Sequence, residues 1–287
     1  MQSCQGLPEE GAAAYTWRMN KLAFIGGGNM ASAIIGGLVR SGRPAASITV
    51  VDPGEAQRGK LAQDFGVVTL GAADATLAQA GLVVWAVKPQ LFSEAAAPCA
   101  AHVAGALQLS VMAGIRSEAI VRATGSERVV RAMPNTPALI GQGISGLFAR
   151  AAVSALERAE VEAVLAPTGR VLWVDAEVDL DAVTALSGSG PAYVFYVIEA
   201  MVEAAAQMGL NPAQGRALAL ATFAGATALA EASEETPAVL RERVTSKGGT
   251  TYAALSVLEQ AGVKASFLSA LQAAQRRAAE LGDEFGR

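Results

Sequence analysis

Short apolar runs recur along the chain as far as Val174, and stretches with apolar positions at helical spacing separate them. The first run, Lys21 to Ile25, leads through glycines into a helix-like stretch from Ser32 to Val39. Ser47 to Val51 reads as a second strand ending at Asp52, and Glu55 to Phe65 as a helix. Gly66 to Thr69 is a short third strand, and Thr76 to Ala80 is helical in character. Leu82 to Val87 carries no polar break, as expected of a strand buried on both faces. Leu107 to Val111, Arg128 to Ala132 and Arg170 to Val174 add further strands. Strands alternating with helices predict β-α-β units and an α/β fold with a parallel sheet. Right-handed crossovers make that sheet doubly wound and leave a ligand crevice at the strand C-termini.

The pattern changes after Pro167-Thr168-Gly169. From Asp179 onward apolar residues return at helical spacing, and Pro191, Pro212 and Pro237 fall where helices begin. The expected organisation is a loose extension over 1–18, with Met19 a candidate natural start, a sheet domain over 19–175 and an all-helical domain over 176–287. Tyr193 to Gln207 and Arg216 to Glu231 are apolar on more than one face, and such helices must be covered. A bundle core within one chain would cover them. Interlocked helices from two chains would also, and that interface is the stronger expectation.

Composition narrows the chemistry. With 52% hydrophobic and 17% charged residues, a large core is available and wholesale disorder is excluded. A net charge of −4 offers no nucleic-acid surface. Cys4 and Cys99 give neither a disulfide framework nor zinc spacing, and the single histidine, His102, reads as a surface or loop residue. No metal site is expected. No run of ~18 apolar residues is free of charges or glycines, and the N-terminus has no secretory signal, so a cytoplasmic chain without a membrane span is expected.

The glycine turn after the first strand carries the first specific chemistry. Gly26, Gly28 and Ala31 form G-x-G-x-x-A between a strand and a helix. The first glycine lets the chain turn, the second lets a pyrophosphate approach the backbone, and the small alanine lets helix and sheet pack closely. The helix N-terminus then faces the anion. A plain tight turn is the alternative.

Other segments lie where strands end or helices begin. Lys88, in Ala86-Val87-Lys88-Pro89-Gln90, meets either a cofactor or substrate anion or only solvent. In Ser110 to Ile115, Ala113 and Gly114 leave room for a nicotinamide or simply make a turn. Two prolines stiffen Met133-Pro134-Asn135-Thr136-Pro137 into a wall of the crevice or an ordinary turn. Leu186 to Tyr193 reads as a capped helix entry whose glycines admit another backbone. In Val244 to Tyr252, hydroxyls flank Gly248-Gly249 at a helix start, which favours a nest for a small anion, such as a carboxylate, over a simple helix cap.

Taken in order, Gly26 to Ala31, Val87 to Gln90, Met133 to Pro137, Leu186 to Tyr193 and Thr245 to Thr251 resemble pyrroline-5-carboxylate reductase. The likeness spans about Lys21 to Leu281, and the Ser-Gly-Ser-Gly-Pro-Ala-Tyr and Gly-Gly-Thr-Thr segments are its most specific features. The resemblance implies an N-terminal Rossmann domain and a helical domain that intertwines into a homodimer, with larger homo-oligomers of such dimers. It implies reduction of 1-pyrroline-5-carboxylate to L-proline, the last step of proline biosynthesis, by NADPH with NADH as the other candidate.

Under the resemblance, Ile25, Gly26, Gly27, Gly28, Asn29 and Met30 hold the pyrophosphate. Ala86, Val87, Lys88, Pro89 and Ala113 line the ribose and nicotinamide side. Ser246, Gly248, Gly249, Thr250 and Thr251 hold the substrate carboxylate. Thr251, the candidate catalytic residue, also bonds the ring nitrogen, and Glu234 stands near bound proline. Lys247 replaces the family's usual proline. Asp52 sits where an acid binds NAD ribose hydroxyls, yet Arg58 follows and suits NADPH. A 3-hydroxyacid-type dehydrogenase and a non-enzymatic dinucleotide sensor are the competing readings. The former needs a lysine or histidine on a second-domain helix, and the latter has no use for the Gly-Gly-Thr-Thr nest.

Overall fold

The computed structural model describes residues 21–285. The extension expected over 1–18, Met19 and Cys4 lie outside the described residues. The described chain divides into two compact units, 21–188 joined by 274–285, and 189–273.

The first unit is built on one eight-stranded sheet in the order β3-β2-β1-β4-β5-β6-β7-β8. Its strands are β1 (Lys21–Ile25), β2 (Ile48–Val51), β3 (Val68–Leu70), β4 (Ala80–Trp85), β5 (Leu107–Ser110), β6 (Val129–Met133), β7 (Gly143–Ala149) and β8 (Gly169–Trp173). Neighbours β3 through β6 run parallel. The order doubles back at β1, so a crevice opens beside its C-terminal end, as in the expected Rossmann-type sheet.

The two-residue period of the strands places alternate side chains in opposite layers. Leu22, Phe24, Leu82 and Val84 join one core with α1 (Asn29–Arg40), α2 (Glu55–Phe65) and α6 (Ala155–Leu165). Ala23, Ile25, Val83 and Trp85 join a second core with α3 (Phe92–Ala96), α4 (Ala100–Val103) and α5 (Ser117–Thr124). Each fully buried Leu, Ile or Phe stabilises this sandwich by about 1.5–3 kcal/mol. Trp85 Nε1 donates to Gln108 Oε1 at 2.8 Å, so the one polar atom of the largest core side chain is satisfied. Cys99 is buried, and burial pushes its thiol up to about 11, which makes it inert near neutrality. His102 lies half-buried on α4.

Two expectations need correction. The apolar pattern does not predict β7, which runs antiparallel to β6, with β8 parallel to β7. Its sequence, GISGLFA, is broken by glycines that packing requires: a Cβ on Gly146 would stand 2.6 Å from Val183 Cγ1. Second, Thr76 to Ala80 is a 3₁₀ turn over Ala75–Gln79, and Ala80 already begins β4. The two compact units divide at 188/189. Glu177 and Asp181 bond Ser117, Arg131 and Arg116, which ties their stretch to the sheet unit.

The second unit contains α8 (Gly190–Gln207), α9 (Pro212–Glu231), α10 (Pro237–Arg243), α11 (Thr250–Gln260) and the start of α12 (Val263–Phe285). Prolines occupy the first turns of α8, α9 and α10, where a missing N–H costs nothing. Asn211 and Gln214 cap α9 reciprocally. Gly215 brings α8 and α9 close, since a Cβ there would lie 2.8 Å from the Ala205 Cβ. The apolar helices do not make a covered core within the chain. Ala205 is the one buried residue of α8, Phe195 is 63% exposed and Tyr196 74% exposed. The bundle-core reading of these helices is therefore set aside.

Candidate active site

The glycine turn is shaped by contacts that leave no choice of side chain. Gly26 has φ 94°, and a Cβ there would stand 2.7 Å from the Ala86 carbonyl oxygen. Ala86 N–H donates to the Ile25 carbonyl at 2.8 Å, and Gly26 N–H donates to the Val51 carbonyl at 2.8 Å. The turn is thus clamped between β4 and β2. At Gly28 the opposite holds: a Cβ would meet nothing within 4 Å. Open space at Gly28 is what a phosphate cradle requires.

Gly28 is also the N-cap of α1, extended and without a side-chain cap. The first helical bond runs from Ser32 N–H to the Gly28 carbonyl, so the amides before it are left for an outside acceptor. Asn29 is exposed, Met30 half-buried and Ala31 fully buried against the sheet. These residues fit a dinucleotide pyrophosphate.

Asp52 serves the turn itself. Its Oδ2 accepts from Gly27 N–H and its Oδ1 from Gly54 N–H, both at 2.8 Å. Arg58 Nη1 donates to the carbonyls of Asp52 and Pro53, both at 2.8 Å. A guanidinium is therefore fixed at the end of β2, beside a carboxylate already held by the backbone.

Ala86, Val87, Lys88 and Pro89 follow β4, with Lys88 exposed. Ala113 follows β5 and is half-buried. Gly114 has φ 74°, and a Cβ there would stand 3.2 Å from the Leu281 carbonyl oxygen, so α12 packs close on this turn.

Asn135 fastens the proline-flanked loop. Its Oδ1 accepts from Ile144 N–H at 3.0 Å and its Nδ2 donates to the Ser187 carbonyl at 3.2 Å. The capped entry expected at Leu186 to Tyr193 is absent. A π-helical turn over Thr184–Gly188 carries α7 (Asp179–Val183) on toward α8, and Ser189 is helical with no side-chain cap. Such turns occur mostly as single bulges, frequently at functional sites. Gly188 is approached by a side chain, not a backbone, with Met133 Cε 2.7 Å from a would-be Cβ.

The second unit holds the hydroxyl-rich turn. Gly248 has φ 77°, and Gly249 is the extended N-cap of α11, with no side-chain cap. Gly249 N–H donates to the Ser246 carbonyl, and a Cβ on Gly249 would lie 2.6 Å from Ser246 Oγ. The first helical bond runs from Ala253 N–H to the Gly249 carbonyl, so the amides of Thr250 to Tyr252 precede any helical partner. The turn has the form of an anion receptor rather than a self-capped helix start. Thr251 is half-buried, whereas Ser246, Lys247 and Thr250 are exposed. Thr245 Oγ1 is turned back to the Arg241 carbonyl at 2.6 Å. Glu234 is exposed between α9 and α10, while its neighbour Glu235 pairs with Arg243. That pair ties the Glu234 turn to the end of α10, just before the hydroxyl turn.

Sequence reasoning missed one electrostatic network in the first unit. Arg116 binds both oxygens of Asp181, at 3.1 and 2.9 Å. Glu177 accepts from Ser117 N–H and Oγ, both at 2.6 Å, and from Arg131 Nη1 at 2.9 Å. Burial pushes the Glu177 carboxyl up, but its bonds to Ser117 and Arg131 outweigh that and hold it below the usual carboxylate range. The hydrogen bonds that Arg116 donates to Asp181 raise its pKa, whereas burial lowers that of Arg131. The acidic run from Asp175 to Asp181 was the available signal, yet charges alone name no partners. Among the described residues, no group of three His, Cys, Asp or Glu side chains is placed to hold a metal ion.

Comparison with known proteins gives the chain's family. The family model described as "Pyrroline-5-carboxylate reductase dimerisation" matches residues 177–281. One described as "NADP oxidoreductase coenzyme F420-dependent" matches residues 21–114. The chain is 44% identical to the pyrroline-5-carboxylate reductase of Pseudomonas aeruginosa over 93% of its own length and 98% of that protein. It is 40% identical to that of Haemophilus influenzae over 91% and 97% of the two chains. Among solved structures, a pyrroline-5-carboxylate reductase from Coxiella burnetii superposes with a TM-score of 0.85 at 36% identity, covering 91% of this chain and 98% of that one. The Plasmodium falciparum pyrroline carboxylate reductase, solved with NADP bound, gives 0.83 at 25% identity over 92% and 99%. With likeness of this degree along nearly the whole length of its relatives, the chain belongs to the pyrroline-5-carboxylate reductase family.

Proposed function

We propose that this protein reduces 1-pyrroline-5-carboxylate to L-proline, the last step of proline biosynthesis, with NADPH as the preferred coenzyme and NADH as the alternative. The observation that carries the reading is the 44% identity with a pyrroline-5-carboxylate reductase over 93% of the chain. The open cradle at Gly28 and the uncapped turn at Gly249 support it by giving one chain two anion receptors. Support for NADPH comes from the fixed Arg58 guanidinium and from an Asp52 carboxylate already taken up by backbone N–H groups.

When bound, the reduced coenzyme supplies the hydride. The chain holds and orients the reactants. Gly26 to Met30 take the pyrophosphate, Asp52 shapes their turn, and Ala86 to Pro89 with Ala113 line the ribose and nicotinamide side. The amides from Thr250 onward, with Ser246, Gly248, Gly249 and the Thr250 hydroxyl, hold the substrate carboxylate. The Thr251 hydroxyl bonds the ring nitrogen. Protonation of that nitrogen, from solvent or brought by the substrate, makes the adjoining carbon electrophilic. Glu234 stands near the ring of product proline. The coenzyme-binding domain is 19–175 and the substrate and dimerisation domain 176–287.

The exposed apolar faces of α8 and α11, with Tyr196 74% and Val257 64% exposed, favour a homodimer in which a second copy covers them; larger assemblies of dimers are compatible with it. Dependence on an NAD(P)H pool supports a cytoplasmic location; no described helix is long and apolar enough to cross a membrane. Nothing in the chain's charge favours nucleic acid.

Mixing the protein with 1-pyrroline-5-carboxylate and NADPH, and following the absorbance of the reduced coenzyme, tests the reading. Loss of that absorbance only when the imine is present is expected. Turnover of a hydroxyacid instead, or binding without turnover, would contradict it.

A further inference from the structure

Two loops of the crevice are held by one ionic node. Arg116 directly follows Ala113-Gly114-Ile115, and Arg131 lies two residues before Met133-Pro134-Asn135. Arg131 is 5% exposed and Asp181 5% exposed, so both ends of this node are deeply buried. Glu177 links the two loops, since one carboxylate accepts from Arg131 and from the first residue of α5, Ser117. Asp181 holds Arg116 in a bidentate pair, the geometry that fixes a guanidinium in direction as well as distance.

The same guanidinium is pressed from a second side. A Cβ on Gly282 would lie 2.4 Å from Arg116 Nη2, and Gly114 lies against the backbone of Leu281. The Ala113 loop is therefore gripped by residues 177–181 and by residues 281–282. The first grip precedes Ser189 in the chain and the second follows Ala273, so the segments on either side of the helical unit both end on this loop. Two part-buried ion pairs and a glycine contact exceed what a β-to-α turn needs.

We infer that Arg116, held by Asp181 and Gly282, is a positioning residue that sets the Ala113 loop for the nicotinamide end of the coenzyme, with Glu177–Arg131 as its brace. The inference rests on the coenzyme reading proposed above. Arg116 touches no reacting atom. It acts through the loop's backbone, and so bears on the nicotinamide half of the coenzyme and leaves the adenosine half, and the pyrophosphate at Gly26 to Met30, untouched.

The test compares two ligands on the full-length protein: NADPH, and 2′-phospho-ADP-ribose, which has the same phosphates and adenosine but no nicotinamide. Asp181→Asn keeps the shape and removes the charge. Gly282→Ala keeps every charge and pushes the guanidinium. The inference expects each variant to bind NADPH about tenfold more weakly while 2′-phospho-ADP-ribose is held as before. Equal weakening of both ligands by a variant would mark a merely structural role, and no change in either would show that the loop is set without the node; each result overturns the inference. If Asp181→Asn fails to fold, Gly282→Ala decides alone. Unmodified protein that binds neither ligand would overturn the coenzyme reading, and this inference with it, and is told apart because the fault then lies in the wild type.

Discussion

Single atoms decide the two proposed receptors, one in each unit. At Gly26, a positive φ and the Ala86 carbonyl exclude any Cβ, so Gly26→Ala must move the turn away from β4. Coenzyme affinity should fall at least about tenfold, with stability lowered by roughly 1–3 kcal/mol, read by titration and by denaturant melts. Gly28→Ala meets no neighbour in the protein, so it should fold like the parent and weaken coenzyme binding alone. In the second unit, Thr251→Ala should remove the hydrogen bond proposed to the ring nitrogen, a loss of about 1–3 kcal/mol or roughly 5- to 150-fold in kcat/KM for the imine. Parent-like turnover in Thr251→Ala would remove that residue from the mechanism. These positions were legible in the sequence because glycine and threonine at such turns carry backbone meaning. Gly114 was not, because a lone glycine does not say which neighbour approaches it.

At the scale of elements, the strands with unbroken apolar runs were readable and β7 was not. Gly143 and Gly146 interrupt its run, and the close packing of Ala138 and Thr168 on the first and Val183 on the second explains them. The π-helical turn and the Arg116–Asp181 and Arg131–Glu177 pairs were equally hidden, because long-range partners leave no local pattern. The Glu177 link also gives the fold a pH dependence. Its folded-state carboxyl titrates below the usual range, so its stabilisation is complete above the unfolded-state value and is lost as pH falls through the lower folded-state one. Tm should therefore drop on the acid side, below about pH 4.5, and Glu177→Gln should flatten that drop while lowering Tm near neutrality. An acid limb identical in the variant would show that other groups control it.

For the whole molecule, the apolar faces of the helical unit stay uncovered by the chain that carries them. Apolar helices were visible in the sequence, but whether they cover one another or await a partner is a matter of packing. Tyr196→Glu places a charge on that face, and sedimentation should show a dimer dissociating at least about tenfold more readily than the parent. A monomeric parent would refute the interface instead. The central claim is that hydride reaches the carbon beside the ring nitrogen of a cyclic imine. The most direct measurement uses NADPH carrying deuterium at the transferred position of its nicotinamide, with 1-pyrroline-5-carboxylate as acceptor and mass and magnetic resonance spectra of the product. The account predicts L-proline labelled at the ring carbon that adjoins nitrogen and bears no carboxylate; unlabelled proline, label at the carboxylate-bearing carbon, or no proline would contradict it.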